Sequence, residues 1–269
     1  MDNKQLDLKK YGPWALIVGG SDGLGESFAR KLGAQGFKLV LAARRPGPLN
    51  ALAEDLRAQG VEVKTVSVDM TKPDGLDLIR TVTDALEIGL LIYNAGVVGG
   101  PADFVKQNPE QYQGYIALNV TGHAELSHHF GGLMFERRRG GILLVGSTGS
   151  FMGSPGLAIY CGVKAFSRIF SEGFWYEGQK YGVDVLHLCV AFTNTPTIVN
   201  LGLDVTHAQS SDVAALEGLD NLANGPIFIA GGRGEVESVM QRSLLPGRAQ
   251  AIRDSVIDVG PSYEPGSTS

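Results

Sequence analysis

The chain has 269 residues, 43% of them apolar, which is enough for one large hydrophobic core or two small ones. Its 23 basic and 28 acidic side chains leave a formal net charge of −5, so no broad positive field exists to gather nucleic acid or a membrane surface, and neither is expected as a partner. Two cysteines, Cys161 and Cys189, cannot build a disulfide framework, and Met1–Asp7 lacks the apolar stretch of a secretory leader, so a reducing, cytoplasmic setting is expected.

From Trp14 to about Ala230, short runs rich in Val, Ile and Leu alternate with longer stretches of helical period. Strands are expected at Ala15–Val18, Lys38–Ala42, Glu62–Val68, Leu90–Tyr93, Gly141–Val145, Val183–Cys189 and Pro226–Ile229. Their nearly continuous apolar character fits strands covered on both faces. Helices are expected at Glu26–Gln35, Pro48–Gln59, Pro73–Leu86, Gln111–Met134 and Tyr160–Tyr181, with Leu49, Leu52 and Leu56 forming one apolar stripe. Gly36, Gly60 and Gly182 read as helix stops. This alternation predicts an α/β fold on a doubly wound parallel sheet, in one domain over 13–259, with an N-terminal extension 1–12 and a flexible tail 260–269.

Directly after the first strand, Gly19-Gly20-Ser21-Asp22-Gly23-Leu24-Gly25 leads into a helix. A strand, a tight glycine turn and a helix N-terminus make an anion site, because free backbone N–H groups and the helix dipole face a pyrophosphate. No Gly-Lys-Ser/Thr follows, and Phe28 stands where the last glycine of the six-residue dinucleotide fingerprint would be. The same glycines would also serve a plain strand-to-helix turn. An NAD site wants a carboxylate about 20 residues further on, and there the chain reads Ala42-Ala43-Arg44-Arg45. Two guanidiniums suit a 2′-phosphate, so NADP(H) is expected in preference to NAD(H). The other reading is an ordinary solvated arginine pair, and Asp22 is placed where it would repel that phosphate.

In Tyr160-Cys161-Gly162-Val163-Lys164 the tyrosine and lysine stand at i and i+4 and share one helix face. An ammonium beside a phenol is expected to lower the tyrosine pKa toward working pH and fit it for proton transfer. Ser147 ends the strand Gly141–Val145 thirteen residues before Tyr160, at the carboxyl edge of the sheet where ligands bind.

With these residues in order, the chain resembles the short-chain dehydrogenase/reductase family from about Pro13 to Pro196. Val18 to Gly25 matches its glycine motif, with Val18 where threonine is usual. Asp69, with Met70 beside it, stands where the family's aspartate contacts adenine. Asn94-Ala95-Gly96 follows the fourth strand, with Tyr93 in place of a common asparagine, and Asn119 fits the family's helix asparagine. Ser147, Tyr160 and Lys164 complete its catalytic set. After the sixth strand the family usually has Pro-Gly, whereas here Val190-Ala191 precede Phe192-Thr193-Asn194-Thr195-Pro196. Thr195 matches the threonine that meets the nicotinamide carboxamide, with Thr193 near it.

The resemblance implies a single-domain Rossmann-type fold and an NADPH-dependent carbonyl reductase or alcohol dehydrogenase. Ser147 would hold the substrate carbonyl, Tyr160 would exchange the proton, Lys164 would tune Tyr160 and hold the nicotinamide ribose, and Asn119 would keep a relay water. The Tyr–Lys spacing argues against an enoyl reductase. The alternative is a nucleotide-binding regulatory or scaffold protein without turnover, to which Val190-Ala191 gives weight. Leu143, Met152, Leu157, Phe192, Ile198, Val199 and Leu201 lean toward a lipophilic carbonyl or alcohol substrate, although each also suits core packing. Phe166, Phe170 and Phe174 form a stripe along the Tyr160–Tyr181 helix, and the family's habit of pairing through this helix and Gln111–Met134 implies a homodimer or homotetramer. Glu125, His128 and His129 read as a polar helix face with no metal role, and Cys161 as a small packing residue.

Overall fold

Every side chain of Trp14–Val18 is buried, as befits the strand at the centre of a two-sided core. In the computed structural model, which describes residues 5–96, 99, 101–200, 202, 204–244 and 247–255, the chain runs α1 (Leu8–Tyr11), β1 (Trp14–Val18), α2 (Gly23–Ala34), β2 (Lys38–Ala43), α3 (Pro46–Ala58), β3 (Val63–Ser67), α4 (Gly75–Thr83) and β4 (Ile88–Tyr93). It continues through α5 (Pro109–Ile116), a π-turn (Ala117–Thr121), α6 (Gly122–Arg137), β5 (Gly140–Ser147), α7 (Ala158–Gln179) and β6 (Val183–Val190). The remaining part comprises β7 (Thr193–Asn194), α8 (Pro196–Asn200), β8 (Gln209–Ser210), α9 (Ser211–Asp220), β9 (Ile227–Ile229), α10 (Gly232–Ser243) and α11 (Arg248–Asp254).

Seven strands pair in parallel in the order β3-β2-β1-β4-β5-β6-β9, the doubly wound arrangement expected. Alternate residues of each strand feed two cores. Ala15 and Ile17 face the core shared with α2, α3 and α9, whereas Leu16 and Val18 face the one shared with α6 and α7. The order reverses between β1 and β4, which opens a crevice at the carboxyl edge where nearly all the candidate site residues gather. The Leu49, Leu52 and Leu56 stripe is buried as expected, and Gly36 and Gly60 take φ of +89° and +88° past the ends of α2 and α3.

One expected helix, Gln111–Met134, is two helices joined by the π-turn. Asn119 is the reason. Its Nδ2 donates to the Tyr115 carbonyl at 3.0 Å, so a side chain enters the backbone ladder one turn back. A single extra residue per turn barely disturbs apolar periodicity, which is why the pattern did not announce it. Short elements without a strong period, namely α1, α8 to α11 and the small β7–β8 sheet, were also not expected.

The described part of the N-terminal extension packs on the domain. Leu6 and Tyr11 are buried, Leu6 N–H donates to Gln35 Oε1 at 2.9 Å, and the Tyr11 hydroxyl and Lys10 ammonium both engage Asp184 at the start of β6. The tail expected over 260–269 lies outside the described residues. Among those described, no helix is long and apolar enough to cross a membrane.

Candidate active site

The glycine loop is set by close approaches that only glycine permits. A Cβ on Gly25 would stand 1.9 Å from the Gly19 carbonyl oxygen, and one on Gly19, whose φ is +80°, would stand 2.6 Å from Ala95 N. The loop is thereby tied to the end of β4. Asn94 Nδ2 donates to Gly19 O at 2.8 Å, and the amides of Asn94 and Ala95 both donate to Val18 O at 2.8 Å. Gly19, Ser21, Asp22, Gly23 and Gly25 and the Asn94-Ala95-Gly96 turn thus form one cradle at the point where the strand order reverses. The Leu24 side chain is in the core, so only its backbone, in the first turn of α2, belongs to the cradle. A space closed to any Cβ and ending at a helix N-terminus fits the pyrophosphate of a dinucleotide.

At the end of β2 the two arginines part company. Arg45 forms an ion pair with Asp22, across the mouth of the glycine loop. Arg44 is exposed and its guanidinium makes no ion pair among the described residues, while its carbonyl accepts from Ser67 Oγ at 3.3 Å. Asp69 is turned inward to accept from Thr71 N and Oγ1 at 3.0 and 2.8 Å, and Met70 is buried beside it.

The catalytic set converges at the ends of β5, α7 and the π-turn. Ser147 closes β5, and its Oγ accepts from Gly149 N at 3.1 Å while its own proton is directed at the Tyr160 hydroxyl. Tyr160 is half-buried on the first turns of α7 and shares a hydrogen bond with Ser147. Lys164, one turn on, is buried with its Nζ 3.4 Å from Val145 O and 6.0 Å from the Tyr160 ring centroid. Asn119 is fully buried, and its Oδ1 has no hydrogen-bond partner among the described residues. A Cβ on Gly96 would lie 3.0 Å from Lys164 Nζ and 3.5 Å from Asn119 Oδ1, so both groups border that glycine.

Burial lowers Lys164 from the ordinary lysine value to about 8. The Tyr160 phenol is shifted the opposite way from the expectation. Desolvation raises it, and the hydrogen bond from Ser147 only partly offsets that. The lysine sits over the ring face and is engaged by the Val145 carbonyl, so it does not bear on the hydroxyl as the i, i+4 spacing suggested.

The short chain dehydrogenase profile matches residues 13–205. The chain belongs to that family. The very-long-chain 3-oxoacyl-CoA reductase of Neurospora crassa is 36% identical over 197 residues, which are 70% of this chain and 59% of that protein. Across this and three further fungal reductases of the same name, the chain spans between 54% and 59% of the relative's length. Among solved structures, one from a study of 7β-hydroxysteroid dehydrogenase stereoselectivity superposes with a TM-score of 0.86 at 27% identity, covering 92% of this chain and 98% of the other. A short-chain dehydrogenase from Sphingobium yanoikuyae in complex with NADPH gives 0.77 at 29% identity, with 93% and 99% covered.

The chain's departure from the family's Pro-Gly has a structural consequence. Val190 continues the β6 ladder and pairs in register with Ser147, so the catalytic strand is held to its last residue. A proline could not donate its share of that ladder. Beyond it, Thr195 and Pro196 come to rest over Gly23, where a Cβ would stand 3.4 Å from Thr195 Cβ and 3.2 Å from Pro196 Cδ. Thr193 does not reach the crevice freely: it is buried, and its hydroxyl donates to Ala191 O at 2.9 Å. Leu143, one of the expected apolar wall residues, is fully buried in the core between sheet and α9, while Leu201 lies outside the described residues. Sequence reasoning missed the Val145 carbonyl that holds Lys164 and the polar side chains behind it, His123, Ser167 and His187. A signal existed for the serine, since 160, 164 and 167 share a helix face.

Proposed function

We propose that this chain is an NADPH-dependent carbonyl reductase, acting on a lipophilic ketone or aldehyde and able to run in reverse. The observation that carries it is the meeting of Ser147, Tyr160 and Lys164 at the sheet edge beside a glycine cradle. The bound nicotinamide supplies the hydride. Ser147, whose proton is directed at the Tyr160 hydroxyl, turns it to the carbonyl oxygen when a substrate lies between them. Tyr160, kept above the ordinary phenol range by burial, is fully protonated at neutral pH and is therefore in the form that gives a proton to the developing alkoxide. Lys164, at about 8, still carries its charge at neutral pH and sits behind that phenol. Asn119 Oδ1 offers an acceptor beside the ammonium, which suits a relay water.

Arg44, exposed at the end of β2 and without an ion pair among the described residues, supports the preference for NADPH over NADH. Asp22, which would repel a 2′-phosphate, is already neutralised by Arg45. Exposed apolar side chains in the segments after β4 and β6 support an uncharged, apolar substrate. Phe104, Val105, Phe192 and Val199 are exposed, while Lys106 pairs with Asp103 at 2.6 Å and Arg248 donates to the Phe151 and Ser243 carbonyls at 2.9 and 3.1 Å. A second copy of the chain suits the exposed apolar face of α7, where Phe166, Ile169 and Tyr176 stand in line.

The test is NADPH consumption with a panel holding an aryl ketone, a ketosteroid and a 3-oxoacyl-CoA thioester. Turnover with a bulky neutral ketone is expected. Tyr160→Phe should lose more than tenfold, a barrier change above about 1.4 kcal/mol, with NADPH affinity retained. Tight NADPH binding by the wild type with no turnover on any panel member would instead favour a silent nucleotide-binding protein.

A further inference from the structure

The catalytic face of α7 does not end at Lys164. Positions 160, 164, 167 and 171 follow one another along one side of the helix, and that side continues as Ser167 and Ser171, both fully buried where an interior helix face ordinarily carries apolar residues. Two imidazoles meet these hydroxyls. His123 of α6 brings Nδ1 to 2.7 Å from Ser167 Oγ, and His187, in the middle of β6, brings Nδ1 to 3.4 Å from both serine hydroxyls. Ser171 Oγ donates in turn to the Ser167 carbonyl at 2.7 Å. Both histidines have zero exposure.

This seam reaches to within one residue or one helix turn of the catalytic residues at three points. Tyr93, standing where the family commonly has asparagine, meets His123 edge-on at 4.3 Å and donates to Leu118 O, next to Asn119. His187 lies against Gly146, where a Cβ would stand 2.0 Å from Nε2, one residue from Ser147. Ser167 is one turn beyond Lys164. The arrangement is costly, since Nε2 of both imidazoles is buried without a partner among the described residues. Burial holds both rings neutral, and the charge of Lys164 disfavours their protonation further, so the lysine is the group that bears charge in this interior. A buried ammonium needs fixed dipoles around it, and neutral imidazole and hydroxyl groups are such dipoles.

We propose that His123, Ser167 and His187 are positioning residues for Lys164, fixing α7 against α6 and β6 and giving a buried ammonium the polar surroundings in which it keeps its proton at neutral pH. The proposal rests on the reductase reading above. The titratable and charged groups around Lys164 are Tyr160, Cys161, Arg168 and Glu172 on its own helix, His123 on α6, and His187 and Cys189 on β6, while β5 contributes the Val145 carbonyl.

The deciding variant is Ser167→Ala, which breaks the chain by removing one oxygen and leaves both rings. With the most rapidly reduced ketone of the panel, its alkaline limb of kcat/KM should fall to lower pH by a unit or more than in wild type. The loss at pH 8 should be about tenfold and should largely vanish near pH 6, where the lysine is protonated in either protein. NADPH affinity at pH 6 should stay within about twofold. His187→Leu should act likewise, and His187→Gln, which keeps a polar group in place, should restore part of the limb. A limb unmoved from wild type, with activity lost equally at every pH or only the Tm lowered, overturns the proposal. The His187→Leu and His187→Gln pair carries the same comparison if Ser167→Ala does not fold. Wild-type turnover separates the two ideas: no turnover of any panel member by the wild type sinks the reductase reading, whereas an active wild type beside an unmoved limb in Ser167→Ala sinks only the role of the seam.

Discussion

Cofactor choice is decided by single side chains. Arg44 and Arg45 are neighbours of identical chemistry, yet Arg45 is paired with Asp22 while Arg44 makes no ion pair among the described residues. The exposed Asp22–Arg45 pair contributes little stability, as surface pairs do, and its effect is to cancel a charge at the loop mouth. Arg44→Asp should therefore reverse the cofactor preference, while Arg45→Ala should weaken NADPH through the uncovered Asp22 without improving NADH to the same extent. Dissociation constants for both cofactors in the two variants check this. Equal constants in the wild type would remove the basis for the assignment. The sequence could name both arginines but not tell them apart, because the distinction is a contact between residues 23 apart in the chain.

At the scale of elements, β6 carries a histidine in mid-strand and α6 carries its counterpart. His187 is lowered by burial to about 3, and His123 is lowered well below the ordinary value. Between the folded value of His187 and the ordinary 6.5, the unfolded chain binds the proton and the folded chain does not. Stability therefore rises with pH across this window and is lost as pH falls through it, by up to about 1.4 kcal/mol per pH unit for each imidazole. Urea midpoints measured at pH 6.5 and 4.5 should drop in the wild type by more than in His187→Gln. An equal drop would show that the buried ring carries no such penalty. The same elements mark what was legible. Strands and long helices followed from apolar runs and period because both sheet faces are covered, and the residues at strand ends fell into the site because parallel topology collects them at one edge. The π-turn, the polar seam and the raised phenol were not legible, since each depends on which side chain enters which ladder or faces which neighbour in space.

For the whole molecule, the expected aromatic stripe proves to have two sides. Residues four apart drift around a helix, and Phe170 and Phe174 turn inward to stack with one another at 5.6 Å and with Phe135. The face left outside is instead Phe166, Ile169 and Tyr176, with Leu133 exposed on α6. A stripe of that spacing is what a partner helix packs into. Light scattering at micromolar concentration should give a multiple of 28.5 kDa, and Ile169→Glu should return the single-chain mass with the thermal transition nearly unchanged. A wild-type monomer would contradict the proposal.

The three-residue strand β9 has a further consequence. Among the described residues it pairs with His187, Leu188 and Cys189, and it is the last strand of the sheet in sequence. Until residue 229 has left the ribosome, β6 is paired on its β5 side alone, and its amides and carbonyls that face away from β5 form an open edge able to capture another growing chain. A nascent chain stopped between β6 and β9 would already own its glycine cradle, its tyrosine and its lysine, yet would be the form most exposed to strand-to-strand aggregation. The same short strand that adds almost nothing to the core is thus a closure placed over the edge bearing His187.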